Sequence, residues 1–206
     1  MRRLGWLALA LILGLGGFAQ GQTADANPDA EVLAAGRVTY VYSETLDVAQ
    51  SVAVADSRAY SVAGARQLLS GFYQQLQARG GQRNNLADVG ALLIFANHYV
   101  MSGGTELTPR QYAGARDLMR RQVLASDAIQ QASDSDLQYR AEKMIIDTAA
   151  TFTQYQSYQS RAAGGDPYAA KRVIEAARTT ALSTLDVLFA PDGFRAWHLT
   201  PDGFAR

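Results

Sequence analysis

Beyond residue 36, three Gly-Gly pairs divide this sequence into segments, and each pair is followed within a few residues by a side chain that caps helices. Glycine adopts the left-handed backbone conformation that ends a helix at little cost. Asn, Thr and Asp accept hydrogen bonds from the free amides of the helix that follows. The pairs are Gly80-Gly81, Gly103-Gly104 and Gly164-Gly165, and the capping residues are Asn85, Thr108 and Asp166. This pattern of helix-ending glycines and helix-capping residues predicts a series of helices joined by short connections.

Between these marks, apolar residues recur every three or four positions, which is the period of an amphipathic helix. Residues 86–100 are apolar on nearly every face, so we expect this segment to lie at the centre of the fold. Five helices are predicted, over residues 62–79, 86–100, 109–125, 134–161 and 167–189. Together they predict an all-α fold, a single-domain bundle of about five helices.

The two ends of this bundle are less regular. Strand and helix both stay open for residues 38–60, because 38–42 alternate like a strand whereas 45–59 are rich in alanine and valine. We favour an extended segment followed by a helix. The C-terminal tail, residues 190–206, contains Pro-Asp-Gly-Phe twice, and this tetrapeptide is typical of a turn. We therefore expect a turn-rich tail that folds back on the bundle.

The N-terminus has the pattern of a secretory signal peptide. Arg2 and Arg3 precede an apolar run over residues 4–18, which is too short to span a bilayer comfortably. Small residues follow, ending at Gly21. We predict a signal peptide over residues 1–21, with the exact cleavage site left open, and an exported protein of the periplasm or the extracellular medium.

Composition limits the kinds of protein that remain. Residues 22–36 are small, polar and acidic, which predicts a flexible leader before one helical domain over 37–206. The chain has 19 basic and 19 acidic side chains, so the loss of two signal-peptide arginines leaves it slightly acidic, without the basic field that nucleic acid requires. No segment after the signal peptide predicts a membrane span. Because the chain has no cysteine, packing alone must stabilise it.

From residue 85 to the C-terminus the chain contains a set of short motifs. They are Asn-Leu-Ala-Asp at 85–88, Gly-Gly at 103–104, Leu-Thr-Pro-Arg-Gln at 107–111, a helix start near Asp134 and Leu-Thr-Pro-Asp-Gly-Phe at 199–204. In these motifs the sequence resembles an uncharacterised family of exported bacterial helical domains. The resemblance implies secretion and an all-α fold. It assigns no activity and no catalytic residues to this chain.

Three side chains are candidates for catalysis, namely His98, Asp147 and Asp186. A histidine on the central segment can act as a general base or metal ligand, or it can be a hydrogen-bonded core residue. The two aspartates have more apolar neighbours than the other carboxylates. Paired histidines at ligand spacing and thiols are both missing, so we predict no metal site and no cofactor. A small exported hydrolase with such a site between helices is the alternative function.

Charged residues four positions apart account for most of the remaining ionisable side chains. Asp136 with Arg140, and Lys143 with Asp147, have the spacing at which two side chains meet on one helix face. Such pairs are typical of a solvated surface, where an ion pair contributes little to stability. We therefore expect these charges to lie on the outside of the bundle.

A polar aromatic segment suggests a binding surface. Tyr155 and Tyr158 lie among glutamines and serines in residues 153–160, and such side chains suit a glycan or a peptide but also complete cores. Trp197 either joins this surface or anchors the tail. We take these three as binding residues of an exported, non-catalytic binding or structural module of the cell envelope or secretome. Its expected partner is an envelope protein, a glycan or a second copy of the chain.

Overall fold

The computed structural model describes residues 37–56, 59–162 and 167–206. The predicted signal peptide 1–21 and leader 22–36 lie outside the described residues, as do Gly164, Gly165 and the predicted cap Asp166. The described part of the chain forms seven α-helices, one 3-10 helix and a two-stranded antiparallel hairpin, so the predicted all-α fold is confirmed.

The helices are α1 (Val48–Ala55), α2 (Val62–Ala78), α3 (Leu86–Ser102), α4 (Pro109–Ala125), α5 (Asp127–Gln130), α6 (Asp134–Ala162) and α7 (Pro167–Leu188). The 3-10 helix is Phe194–Ala196, and the hairpin strands are β1 (His198–Thr200) and β2 (Gly203–Ala205). All five predicted helices are present with ends within two residues of the prediction. The sequence did not predict the single-turn helix α5 or the short hairpin strands.

Helix α3 is the centre of the bundle, as the sequence predicts. It packs against α4, α6 and α7, and every residue from Ala87 to Phe95 is buried. A helix that is apolar on all faces can bury itself only by contacting neighbours on all sides. The other long helices therefore surround α3 and present one apolar stripe each to the interior.

The predicted caps Asn85 and Thr108 form as expected. The Asn85 side chain accepts hydrogen bonds from the amides of Ala87 and Asp88, at 3.0 and 3.2 Å. Thr108 and Gln111 make both hydrogen bonds of a capping box. Gly103 ends α3 with a φ of 81°, in the left-handed region where glycine is favoured. These local contacts explain why the helix ends were predictable.

The segment before α1 is extended, which settles the choice between strand and helix for residues 38–60. Thr39 forms an isolated antiparallel bridge with Asn85, and the Leu86 amide donates to the Val38 carbonyl at 2.9 Å. The helix begins only at Val48, with Asp47 as its cap. The alternating residues therefore run along the loop before α3 without belonging to a longer sheet.

The C-terminal tail packs back on α4 and on the end of α7. Its hairpin pairs Leu199 with Phe204, and the second Pro-Asp-Gly-Phe forms the connecting turn. Phe204 is buried and meets the Phe189 ring edge to face at 5.1 Å between centroids. The hairpin lies so close to α4 that a Cβ built on Gly114 would be 2.9 Å from the Gly203 Cα. This backbone contact positions the tail.

Candidate functional site

A cavity of about 300 Å³ lies between α3, α4, α6 and the C-terminal end of α7. Its wall is mainly apolar and includes Leu86, Val89, Leu93, Met119, Leu137 and Met144. Sites for small molecules in proteins have volumes of about 300–1,000 Å³, so this cavity reaches the lower end of that range. A second apolar cavity, between α2, α3 and α6, has only about 40 Å³ and is too small for such a ligand.

Small residues of neighbouring helices shape this cavity. Gly90 on α3 has no side chain, and a Cβ built there would be 2.7 Å from the Met119 methyl group. Met119 therefore packs directly against the α3 backbone. On α6, Ala141 places only a methyl group on the wall. The wall is completed at the end of α7 by Val187, whose side chain is 66% exposed. Arg140 and Ala190 are exposed wall residues as well, so the cavity reaches solvent at these three residues.

Three polar side chains lie among the apolar wall residues, and they are Gln122, Ser126 and Arg140. Ser126 precedes α5 but makes no side-chain capping bond. Arg140 is exposed, and the predicted ion pair with Asp136 is not formed among the described residues, so that prediction is wrong. Asp136 instead accepts a hydrogen bond from the Ser133 hydroxyl at 2.6 Å. The described wall therefore presents hydrogen-bond donors and one cation, and it includes no carboxylate.

A second cluster of polar side chains surrounds Glu142 on α6. The Tyr73 hydroxyl of α2 donates to the Glu142 carboxylate at 2.9 Å, and Tyr42 of the N-terminal segment also hydrogen-bonds to it. Gln138 lies one turn earlier on α6. Its side-chain carbonyl accepts a hydrogen bond from the Ser43 amide at 2.8 Å, and its side-chain amide donates to the Ser43 carbonyl at 3.0 Å. The cluster therefore fastens the N-terminal segment to α2 and α6.

The electrostatics of this cluster follow from burial. Glu142 is only 2% exposed, and burial raises the pKa of its carboxyl, against the hydrogen bonds from Tyr73, Tyr42 and Gln138, which lower it. Burial and the nearby carboxylate raise the pKa of Tyr42 to about 12. A perturbed carboxyl group is often a sign of an active site. Here the carboxylate is enclosed by its donors, and neither described cavity includes it, so the cluster serves as a structural anchor.

His98 lies on α3 and faces the tail. Its ring contacts the Phe204 ring at 6.0 Å between centroids, and the side chain is 8% exposed. Burial lowers the pKa of His98, while a backbone hydrogen bond with Thr105 acts in the opposite direction. Its Nδ1 atom has no hydrogen-bond partner among the described residues. The histidine therefore occupies a core position beneath the hairpin.

Asp147 and Asp186 lie at different places and have different partners. Asp147 accepts hydrogen bonds from Tyr60 at 3.0 Å and from Lys143 at 2.7 Å, and the latter is the predicted ion pair. Asp186 on α7 accepts from the Phe194 amide at 2.8 Å and so holds the start of the tail. Neither shares a hydrogen-bond partner with His98, and neither described cavity includes any of the three.

The predicted binding tyrosines are not equivalent. Tyr155 is fully buried, with its ring 6.1 Å from the Tyr99 ring between centroids, so its side chain lies in the core and not on the surface that the sequence suggests. Its position follows the apolar stripe of α6 through Phe152. Tyr158, one turn further on, is half-buried. The polar aromatic surface therefore includes Tyr158 but excludes Tyr155.

Trp197 anchors the tail. Its ring meets the Phe189 ring edge to face at 5.5 Å, and the Arg206 guanidinium lies 5.2 Å from its centroid. The indole N–H is buried without an acceptor among the described residues. Of the two roles that the sequence leaves open for this residue, the contacts are those of an anchor.

No protein family matches this chain, and neither a curated protein nor a solved structure is similar to it at a significant level. Within the described ranges, no helix is both long and apolar enough to cross a membrane. Over the same residues, no cluster of three or more His, Cys, Asp and Glu side chains is arranged to hold a metal ion. The function must therefore be inferred from the cavity and the surfaces themselves.

Sequence reasoning missed the cavity and the Glu142 cluster. Both assemble residues that are far apart in the chain, as with Tyr73 and Glu142, which are separated by 69 positions. One local signal was present for Glu142, because it follows Ala141 and precedes Ile145 on the buried side of α6. For the cavity, the available signal was Arg140 next to the apolar positions Leu137 and Ala141.

Proposed function

We propose that this chain is an exported helical module that binds a small apolar ligand in the cavity between α3, α4, α6 and α7. The observation that carries the proposal is an apolar cavity of about 300 Å³ that opens beside Val187. Protein interiors are close-packed and leave few voids larger than a water molecule. A ligand that covers this apolar wall stabilises the folded chain by removing the wall from water.

Export is part of the same proposal, and the signal-like pattern of residues 1–21 supports it. We place the protein in the periplasm or outside the cell, where an apolar molecule needs shielding from water. The hydrolase alternative has no comparable support, because the cavity wall includes none of His98, Asp147 and Asp186. A binding module remains the function that these contacts favour.

The proposal is tested by titrating the purified protein, expressed as the full chain, with N-phenyl-1-naphthylamine. This uncharged probe fluoresces more strongly in apolar sites. We expect saturable binding of one probe per chain. Val187→Trp, at the opening, should weaken binding because the larger side chain fills the entrance.

Val54→Trp is the matched control, because Val54 is similarly exposed, at 74% against 66% for Val187, and lies on α1 away from the cavity wall. The control variant should bind the probe as the unaltered protein does. Absence of saturable binding, or equal loss in the two variants, would refute the cavity as a ligand site. The molecular mass in solution is measured on the same samples. A monomer that binds the probe indicates a ligand site, whereas a dimer indicates a surface that pairs two copies of the chain.

A further inference from the structure

We infer that the cavity takes a single-chain anionic amphiphile, whose hydrocarbon chain lies on the apolar wall and whose anionic group contacts Arg140. The inference rests on the proposed function and adds the chemical class of the ligand. It starts from the composition of the described wall, which combines a long apolar surface with Gln122, Ser126 and Arg140 and contains no acidic side chain.

Arg140 is placed to receive a charged group at the mouth of the cavity. It is exposed, whereas Leu137 and Ala141, on the same stretch of α6, are buried. The guanidinium therefore lies at the boundary between solvent and the apolar wall. An amphiphile has the same division, since its chain leaves water while its head group stays partly solvated.

Among the described residues, no carboxylate neutralises the charge of Arg140. Arg37, Arg83 and Arg116 each form an ion pair with a carboxylate, but no such pair is found for Arg140 among the described residues. Asp136, one turn away, is hydrogen-bonded to Ser133 instead. A free guanidinium binds a carboxylate, sulfate or phosphate through two parallel hydrogen bonds.

The two uncharged polar residues favour the same class of ligand. The Ser126 hydroxyl makes no capping bond, and no hydrogen bond of the Gln122 amide is found within the described ranges. Both groups donate hydrogen bonds, as does the guanidinium. An acceptor-rich anionic head group accepts hydrogen bonds from donors of each of these types, whereas a cationic head group would be repelled by Arg140.

The test uses decanoate, 1-decanol and decyltrimethylammonium, which share one chain and differ in charge, as competitors of bound N-phenyl-1-naphthylamine. At about pH 8 the carboxylic acid is ionised. We expect decanoate to displace the probe at lower concentration than the cation. Arg140→Gln should lower the affinity for decanoate about tenfold, because it removes a charge-assisted hydrogen bond at a partly exposed site. The affinity for 1-decanol should not change.

Arg140→Lys keeps the charge and should restore part of the decanoate affinity, while Arg120→Gln, on the exposed side of α4 and outside the wall, is the matched control. Raising the ionic strength should lower the affinity for decanoate and not that for 1-decanol. If the probe and 1-decanol bind but Arg140→Gln leaves decanoate unchanged, or the cation binds as well as decanoate, the anionic class is wrong and the cavity function stands. If the probe itself does not bind, both proposals fail.

Discussion

Replacing Gly114 by alanine tests whether the C-terminal hairpin is held against α4 by backbone contact. A Cβ at this position would be 2.8 Å from the Asp202 carbonyl carbon and 2.9 Å from the Gly203 Cα. Both are backbone atoms, so no side-chain rotation relieves the overlap, and the hairpin must move. A displaced hairpin exposes Phe204 and breaks the 2.9 Å hydrogen bond from Gln111 to the Thr200 carbonyl.

The magnitude follows from these contacts. Exposing a buried phenylalanine costs about 1.5–3 kcal/mol, and losing the hydrogen bond costs about 1 kcal/mol. Alanine has a higher helix propensity than glycine, which stabilises α4 by about 1 kcal/mol. We therefore expect Gly114→Ala to lower the free energy of unfolding by about 1.5–3 kcal/mol, or the Tm by about 3–12 °C for a domain of this size.

Differential scanning fluorimetry measures the shift in Tm, and trypsin cleavage after the exposed Arg195 reports release of the tail. Ala113→Gly, at the neighbouring exposed position, is the control. It should cost only about 1 kcal/mol of helix propensity and leave the cleavage rate unchanged. A higher Tm for Gly114→Ala, with unchanged cleavage after Arg195, would show that the hairpin is not seated on Gly114 and would refute the reasoning.

Two further predictions concern Glu142 and Gly103. The raised pKa of Glu142 means that the folded chain holds this proton more tightly than the unfolded chain, so the associated stability is complete below about pH 4.5 and is lost as the pH rises through the raised pKa. The free energy of unfolding in urea should therefore fall less with rising pH for Glu142→Gln than for the unaltered protein. Equal falls in the two proteins would contradict the raised pKa of Glu142. Gly103→Val should lower the Tm more than Gly103→Asn, because a β-branched residue is strained at a φ of 81°. Equal Tm values would contradict the left-handed end of α3.

Helix positions were predictable because their signals are local. Thr108, Pro109 and Gln111 mark the start of α4 within four residues, and the structure forms the capping box that they predict. The apolar period fixes which face of each helix is buried, and it also placed Tyr155 on the buried stripe of α6. The binding role predicted for Tyr155 came from its polar neighbours in sequence, of which Gln154 is exposed whereas Tyr155 itself is buried.

Contacts between distant segments were not predictable from the pattern. The strands of the hairpin are three residues long, too short for an alternating pattern to be distinguished, although the turn between them was marked by Pro201 and Gly203. The close approach of Gly203 to Gly114 depends on two glycines 89 positions apart. Likewise, two of the donors to Glu142, Tyr73 and Tyr42, come from α2 and from the segment before α1.

The two polar clusters of this bundle differ in a way that indicates their roles. Around Glu142, each donor is already matched with an acceptor inside the protein, and the cost of burying the carboxylate is offset by those hydrogen bonds. Around the cavity, Ser126 and Arg140 present donors without acceptors beside an apolar wall that is left uncovered. A complete network resists rearrangement and fixes the fold, whereas donors without a protein acceptor beside an apolar cavity leave hydrogen bonds that the proposed amphiphile could make. This contrast is the reason to look for the ligand at Arg140 rather than at Glu142.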